Sequence, residues 1–232
     1  MGGRAVDMGS LHITPSGLAP PVAEGTREHP GDVTLAGLIE RHRFPEGYRR
    51  IFLAAIETFS ERGFHGTSTR DIAARAGMSP AALYVHFGSK EEVLYRIATS
   101  GLDITLQVMS GAETGAAAPS DRLRAVVRAV TAWHAHHSSA ARVILYEQEA
   151  LTPEHLAEVL VKEREIDQIV RRIIAEGVRA GEFDVPDVVS SAAAILSLCM
   201  DIARWYRPGH RRSPEDMGEA YAEAAVRIVG VR

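Results

Sequence analysis

The sequence predicts an all-α fold, and three observations carry that prediction. Apolar residues recur at three- and four-residue spacing from residue 46 to the C-terminal end. No stretch alternates apolar and polar residues over a strand's length. Ser-Pro, Thr-Pro and Ser-x-x-Asp pairs restart the chain as helix after each glycine or proline break.

Residues 1–44 stand apart. Pro15, Pro20, Pro21 and Pro30 interrupt any periodicity in a Gly-, Ser- and Thr-rich stretch, which reads as a flexible tail. From Glu46 the pattern changes. Tyr48, Ile51, Phe52, Ala55 and Phe59 make one face of a first helix that stops at Gly63. Ser68, with Asp71 three residues on, forms a capping box that opens a second helix, short and ended by Gly77. Ser79-Pro80 opens a third at once, with Leu83 and Phe87 facing inward. Ser89 and Glu92 start a fourth, carried by Val93, Leu94 and Ile97.

A loop is expected at 111–119. Ser120 then starts a helix to about His137, Ser138 or Ser139 one to about Ala150, and Thr152-Pro153 a long one to about Gly181. Asp184 with Pro186 begins another that ends at Tyr206, and Ser213-Pro214 with Asp216 begins the last. About nine helices result: a three-helix unit over 45–92 and a larger helical domain over 93–232.

Composition sets the outer bounds. At 46% hydrophobic and 24% charged, the 232 residues can build one large or two small cores. The lone Cys199 excludes an intramolecular disulfide framework and any multi-cysteine zinc site, which suits a cytoplasmic protein. Residues 1–30 lack the apolar core of a secretory signal. The uncharged run Val188 to Met200 is shorter than the ~20 residues that span a bilayer, so it reads as a buried helix. The formal net charge of −4 is unevenly spread. Only residues 41–100 are positive, by three charges, which suits a small phosphate-contacting module on an otherwise acidic chain.

Two short capped helices joined through a glycine turn have the layout of a helix-turn-helix, whose second helix offers its N-terminal residues to base edges in the major groove. Spacing alone equally admits a helical hairpin that merely packs, inside a helical ligand-binding or catalytic protein. Against catalysis, the sequence has no Gly-x-Ser-x-Gly elbow, phosphate loop or HExxH motif.

The residues are more specific than the spacing. The run from Thr69 to Glu92 (TRDIAARAGMSPAALYVHFGSKEE) resembles the DNA-binding signature of the tetracycline-repressor family over nearly its whole length, and Phe59 to Phe64 fits the end of that family's first helix. The resemblance implies a dimeric regulator that binds double-stranded operator DNA. It implies phosphate contacts for Tyr84, His86 and Lys90, and base contacts for Arg70, Pro80 and Ala81. Thr69 and Ser79 would add hydroxyl and main-chain contacts at two helix N-termini. Val85 departs from the commoner choice at its position and removes one backbone contact.

Behind the signature the resemblance is architectural. It implies a homodimer through the last two helices, where Val188 to Met200 is rich in small apolar residues and Met217, Tyr221, Ala224 and Ile228 form a stripe. It also implies an internal pocket for a small-molecule effector. Trp133, His134, His137, Tyr146, Glu149, Arg204 and Trp205 are the candidates to line it. Segments 144–150 and 203–209 resemble family regulators that sense acyl-coenzyme A thioesters of fatty-acid or steroid breakdown, with Arg204, Arg207, Arg211 and Arg212 available to phosphates. His134, His136 and His137 have no Cys or carboxylate at ligand spacing beside them, so neither a metal nor a cofactor is predicted.

Overall fold

The structure is a computed structural model that describes residues 44–113, 118–207 and 209–231. Nine α-helices appear among the described residues: α1 Glu46–Arg62, α2 Thr69–Arg75, α3 Pro80–His86, α4 Lys90–Glu113, α5 Pro119–His136, α6 Ser138–Tyr146, α7 Pro153–Arg179, α8 Val188–Trp205 and α9 Pro214–Ile228. A single 3-10 turn, Gln148–Ala150, follows α6, and no strand occurs among the described residues. The all-α expectation holds. The tail assigned to residues 1–44 lies outside the described residues except at its last position. There Phe44 stacks on Tyr48 with ring centroids 4.4 Å apart, so it belongs to the first helix's core rather than to the tail.

Most of the predicted caps form. The Ser68 hydroxyl accepts from the Asp71 amide at 3.2 Å, and the Asp71 carboxylate accepts from the Ser68 amide at 2.8 Å. The same reciprocal pair joins Ser213 and Asp216, each bond 3.0 Å long. Ser79 and Thr152 cap α3 and α7, with a proline in the first helical turn of each. Three caps differ from expectation. α6 begins at Ser138 behind His137, with no side-chain cap bond, and ends at Tyr146 rather than near Ala150. α5 starts at Pro119, and the Ser120 amide is taken by the Glu182 carboxylate at 2.8 Å, a partner 62 residues away. α8 is capped not by Asp184 but by Asp187, whose extended backbone lets its carboxylate accept from the Ser190 amide at 2.7 Å. The loop expected at 111–119 is shorter, since α4 continues to Glu113, and its centre lies outside the described residues.

The first three helices close a small core. Ile51, Phe52, Ala55 and Phe59 of α1 meet Ile72 of α2, Leu83 of α3 and Phe87, all buried. Tyr48 stacks on Phe87 at 4.4 Å, and burial pushes its phenol up to about 12. Between α2 and α3 the chain reverses through Gly77, whose φ of 63° is the left-handed region glycine adopts without strain. The amides of Gly77 and Met78 return to the carbonyls of Ala74 and Ala73, a Schellman stop. Arg50 of α1 adds a tie, its guanidinium donating to the carbonyls of Ala76 at 2.5 Å and Gly77 at 3.2 Å.

α4 then runs from this head into the larger domain, packing on α5 and α7. At its far end Glu113 pairs with Arg172 of α7 at 2.7 Å and with Arg122 of α5. Hydrogen bonds from Arg172 and Arg122 hold the Glu113 carboxyl below the usual carboxylate range. α9 lies along α5, and α6 bridges α1 and α4. By length and composition α8 is apolar enough to cross a membrane. Here Ala192, Ile195, Leu196, Cys199, Ile202 and Ala203 face the protein core, leaving Val189 and Leu198 exposed.

Candidate nucleic-acid interface and effector cavity

The head presents one face built from the starts of α2 and α3. Arg70, Pro80 and Ala81 are exposed there, and Tyr84 is 56% exposed. The Tyr84 hydroxyl lies 3.5 Å from the Thr69 hydroxyl, which brings together residues fifteen apart in sequence on one surface. Among the described residues Arg70 has no acidic partner, whereas Arg75, on the same short helix, is consumed by Glu61 at 2.6 Å and Glu57 at 3.4 Å. The local positive excess therefore reaches this face mainly through Arg70. Val85, 78% exposed, offers only an apolar side chain.

Three of the eight expected DNA contacts carry structural duties instead of pointing freely outward. The Lys90 ammonium donates to the carbonyls of Phe64 at 2.8 Å and Thr67 at 2.7 Å and sits 4.0 Å from the centre of the Phe64 ring. Burial lowers its pKa, and at most one of its three N–H bonds remains for a phosphate. His86 is half-buried against the first turn of α1, where Gly47 leaves room that any β-carbon would fill. The Ser79 hydroxyl is occupied as the α3 cap, accepting from Ala82 at 3.3 Å. The uses of Lys90 and His86 depend on residues 23 to 39 positions away, so spacing could not show them, whereas the Ser79 cap is the one its Ser-Pro pair predicts.

The larger domain holds a cavity of about 400 Å³ between α4, α5, α6, α7 and α8. Its floor is buried and mostly apolar: Leu102, Val130, Ala141, Ile144, Ile166, Leu196 and Cys199, with Thr105 and His134. Its rim is more exposed and more polar, with Gln148, Glu163, Asp167 and Ser197 beside Leu145, Ala193 and Met200. Burial holds His134 down to about 4, so the ring is neutral at physiological pH, and its Nδ1 has no hydrogen-bond partner. Burial pushes the Cys199 thiol up to about 11, which keeps it protonated and unreactive.

Of the seven residues expected to line a pocket, only His134 does. Trp133 is buried beside His134 with ring centroids 5.2 Å apart, and it fills the core rather than bounding a space. His137 is half-buried against Trp133 at 5.1 Å. Tyr146, the last residue of the short α6, and Glu149, in the turn that follows it, face solvent. Arg204 is exposed and paired with Asp201 at 2.7 Å, while Trp205 packs in a separate small cluster with Tyr206 and Met217. Aromatic and charged types drew attention in the sequence, but the wall is made of smaller aliphatic residues whose pattern is that of any core. Among the described residues no three His, Cys, Asp or Glu side chains gather closely enough to hold a metal ion.

One contact joins cavity and head. Gln148, on the rim, donates to Glu163 at 2.6 Å, and its neighbour Glu147 accepts the Phe64 amide at 2.8 Å. A second runs beside it: Glu91 of α4 accepts from the Thr152 amide at 3.0 Å and meets His155 at 2.8 Å, while Tyr95 stacks on His155 at 3.8 Å.

Residues 51–97 match the family model for bacterial regulatory proteins of the tetR family, and residues 116–229 match that for the tetracyclin repressor-like C-terminal domain. The chain belongs to the tetracycline-repressor family. It is 30% identical over 171 residues to the HTH-type transcriptional repressor KstR2 of Mycolicibacterium smegmatis, covering 72% of this chain and 82% of that protein. It is 29% identical over 197 residues to the transcriptional activator FasR of the same organism, covering 82% and 87%. Among solved structures, a tetR-family regulator from Rhodococcus RHA1 superposes with a TM-score of 0.77 at 38% identity, covering 82% of this chain and all of that one. AibR in complex with isovaleryl coenzyme A and operator DNA superposes with a TM-score of 0.70 at 26% identity, covering 77% and 97%. This tetracycline-repressor family member is accordingly a DNA-binding regulator, with its helix-turn-helix in α2 and α3.

Proposed function

We propose that the chain is a homodimeric cytoplasmic repressor released from a near-palindromic operator by a small molecule that enters the cavity. The observation that carries this reading is the adjacency of Glu147 and Gln148: one holds a main-chain amide of the DNA-reading head, the other forms part of the cavity rim. A ligand that displaces Gln148 from Glu163 shifts Glu147, and with it the turn that precedes α2. Ligand-bound and operator-bound forms then differ in head position. A coupling of about 1–3 kcal/mol releases the operator by roughly 5–150-fold.

In this reading Arg70, Pro80 and Ala81 contact bases, and Tyr84 and Thr69 hold phosphates, with lesser shares for Ser79, His86 and Lys90. Dimerisation uses the exposed side of α8, from Val189 through Ala194 to Leu198, with Tyr221, Ala224 and Ile228 of α9. Met217, buried in its own chain, drops out of that stripe. Two heads would read half-sites about 34–36 Å apart or a multiple of that distance. As effector we favour an acyl-coenzyme A thioester, with the acyl group on the apolar floor and the nucleotide outside, where Arg211 and Arg212 are exposed. The reading is supported by the apolar floor and by the ligand named in the AibR complex.

Fluorescence anisotropy with the DNA flanking the chain's own gene tests the proposal. Binding should weaken steeply with salt, fall about 5–150-fold for Arg70→Ala, and be reversed by medium-chain acyl-coenzyme A. Binding that ignores salt and survives Arg70→Ala together with Tyr84→Ala would refute the assigned face. Release by no acyl thioester would refute the effector.

A further inference from the structure

We propose that Glu163 makes the cavity select acyl groups in masked, uncharged form, as thioesters, over the corresponding free carboxylic acids. This rests on reading the cavity as the effector site. It adds that the regulator responds to an acid only after its activation.

The charges around the cavity point one way. No Lys or Arg lines it, and the one potential cation, His134, is buried and hydrogen-bonded to the Cys199 main chain. Two carboxylates stand on the rim. Asp167 is balanced by Arg171, 2.6 Å away and one turn along α7. Glu163 is half-buried, accepts only the Gln148 amide at 2.6 Å, and has no cationic partner among the described residues; the neighbouring Lys162 is paired with Asp103.

A fatty acid fits poorly in either direction. Tail-first, it places its carboxylate on the rim beside Glu163, and two like charges about 5 Å apart in a partly desolvated site repel enough to cost about tenfold or more in affinity. Carboxylate-first, it buries a charge on a floor that offers no cation. A thioester carries neither penalty. Its carbonyl is neutral, and it can accept a hydrogen bond from the Gln148 amide while the alkyl chain covers Leu102, Val130, Ile144 and Leu196.

The test compares octanoate with octanoyl-N-acetylcysteamine, a neutral thioester without coenzyme A phosphates, by calorimetry on the full chain. We expect the thioester to bind at least tenfold more tightly than the acid at low ionic strength. That ratio should shrink several-fold in Glu163→Gln. It should also shrink in the unaltered protein as salt is raised, which needs no variant to fold. Equal binding of the two probes by the unaltered protein overturns the selection. An unchanged ratio in a folded Glu163→Gln overturns the role of Glu163. If neither probe binds, the cavity is not an acyl site, and the effector reading fails before the selection does.

Discussion

The head and the sensor use helices in opposite ways. In the head, α2 and α3 have seven residues each, and their caps and the turn between them hold Arg70, Pro80, Ala81 and Tyr84 outward. In the sensor, α4 and α7 have 24 and 27 residues, and what matters is the space they enclose with α5, α6 and α8. A surface site can be set by a few local bonds near its own residues. An enclosed site depends on distances between helices that only the whole domain determines. The exposed face of the head is therefore set locally, and the cavity is set by the whole larger domain.

Three measurements would break or sharpen that contrast. The largest effect belongs to Phe87→Ala, which removes a ring 2% exposed and stacked on Tyr48. A loss of about 3–5 kcal/mol is expected, concentrated in the head. Both tryptophans, Trp133 and Trp205, lie in the sensor, so their fluorescence should melt later than far-UV circular dichroism, which follows all helices. Coincident melting would mean that head and sensor unfold as one unit.

Next comes pH. The folded His134 ring takes up its proton only near pH 4, whereas the unfolded ring does so near 6.5. The unfolded chain therefore binds more protons throughout that interval. Stability falls as pH drops from 6.5 and levels off below 4, by up to about 3 kcal/mol. His137 shifts in the same direction, also through burial. Urea titrations across this range should show a shallower fall for His134→Gln; parallel curves would show that the ring is not titrating in its buried place. The smallest effect is Ser68→Ala, which removes the acceptor for the Asp71 amide and costs about 1 kcal/mol. Operator binding should weaken with no change in the sensor's melting.

These contrasts also explain what was legible in the sequence. The Ser68–Asp71 and Ser213–Asp216 boxes, the Ser79-Pro80 start and the Gly77 stop are bonds between near neighbours, and all four form as read. The exposed placement of Arg70, Pro80, Ala81 and Tyr84 follows from helical periodicity once Leu83 and Phe87 are assigned inward. Long-range partners were invisible. Lys90 is drawn to the carbonyls of Phe64 and Thr67, and Ser120 meets Glu182, through contacts 23 to 62 residues apart. The lining of the expected cavity was misjudged for a related reason. Large aromatic side chains such as Trp133 fill space, and a wall is left where aliphatic side chains fail to meet across it. That property belongs to pairs of helices, so no single residue type announces it.

The Glu147 contact also turns one backbone position into a natural gauge. An amide proton held by a carboxylate resonates away from one that faces water, and Phe64 is the residue whose N–H sits on that joint. A single cross-peak in a spectrum of selectively labelled phenylalanine would read the posture of the DNA-reading head from inside the protein. It would do so whichever molecule fills the cavity, and with no operator present.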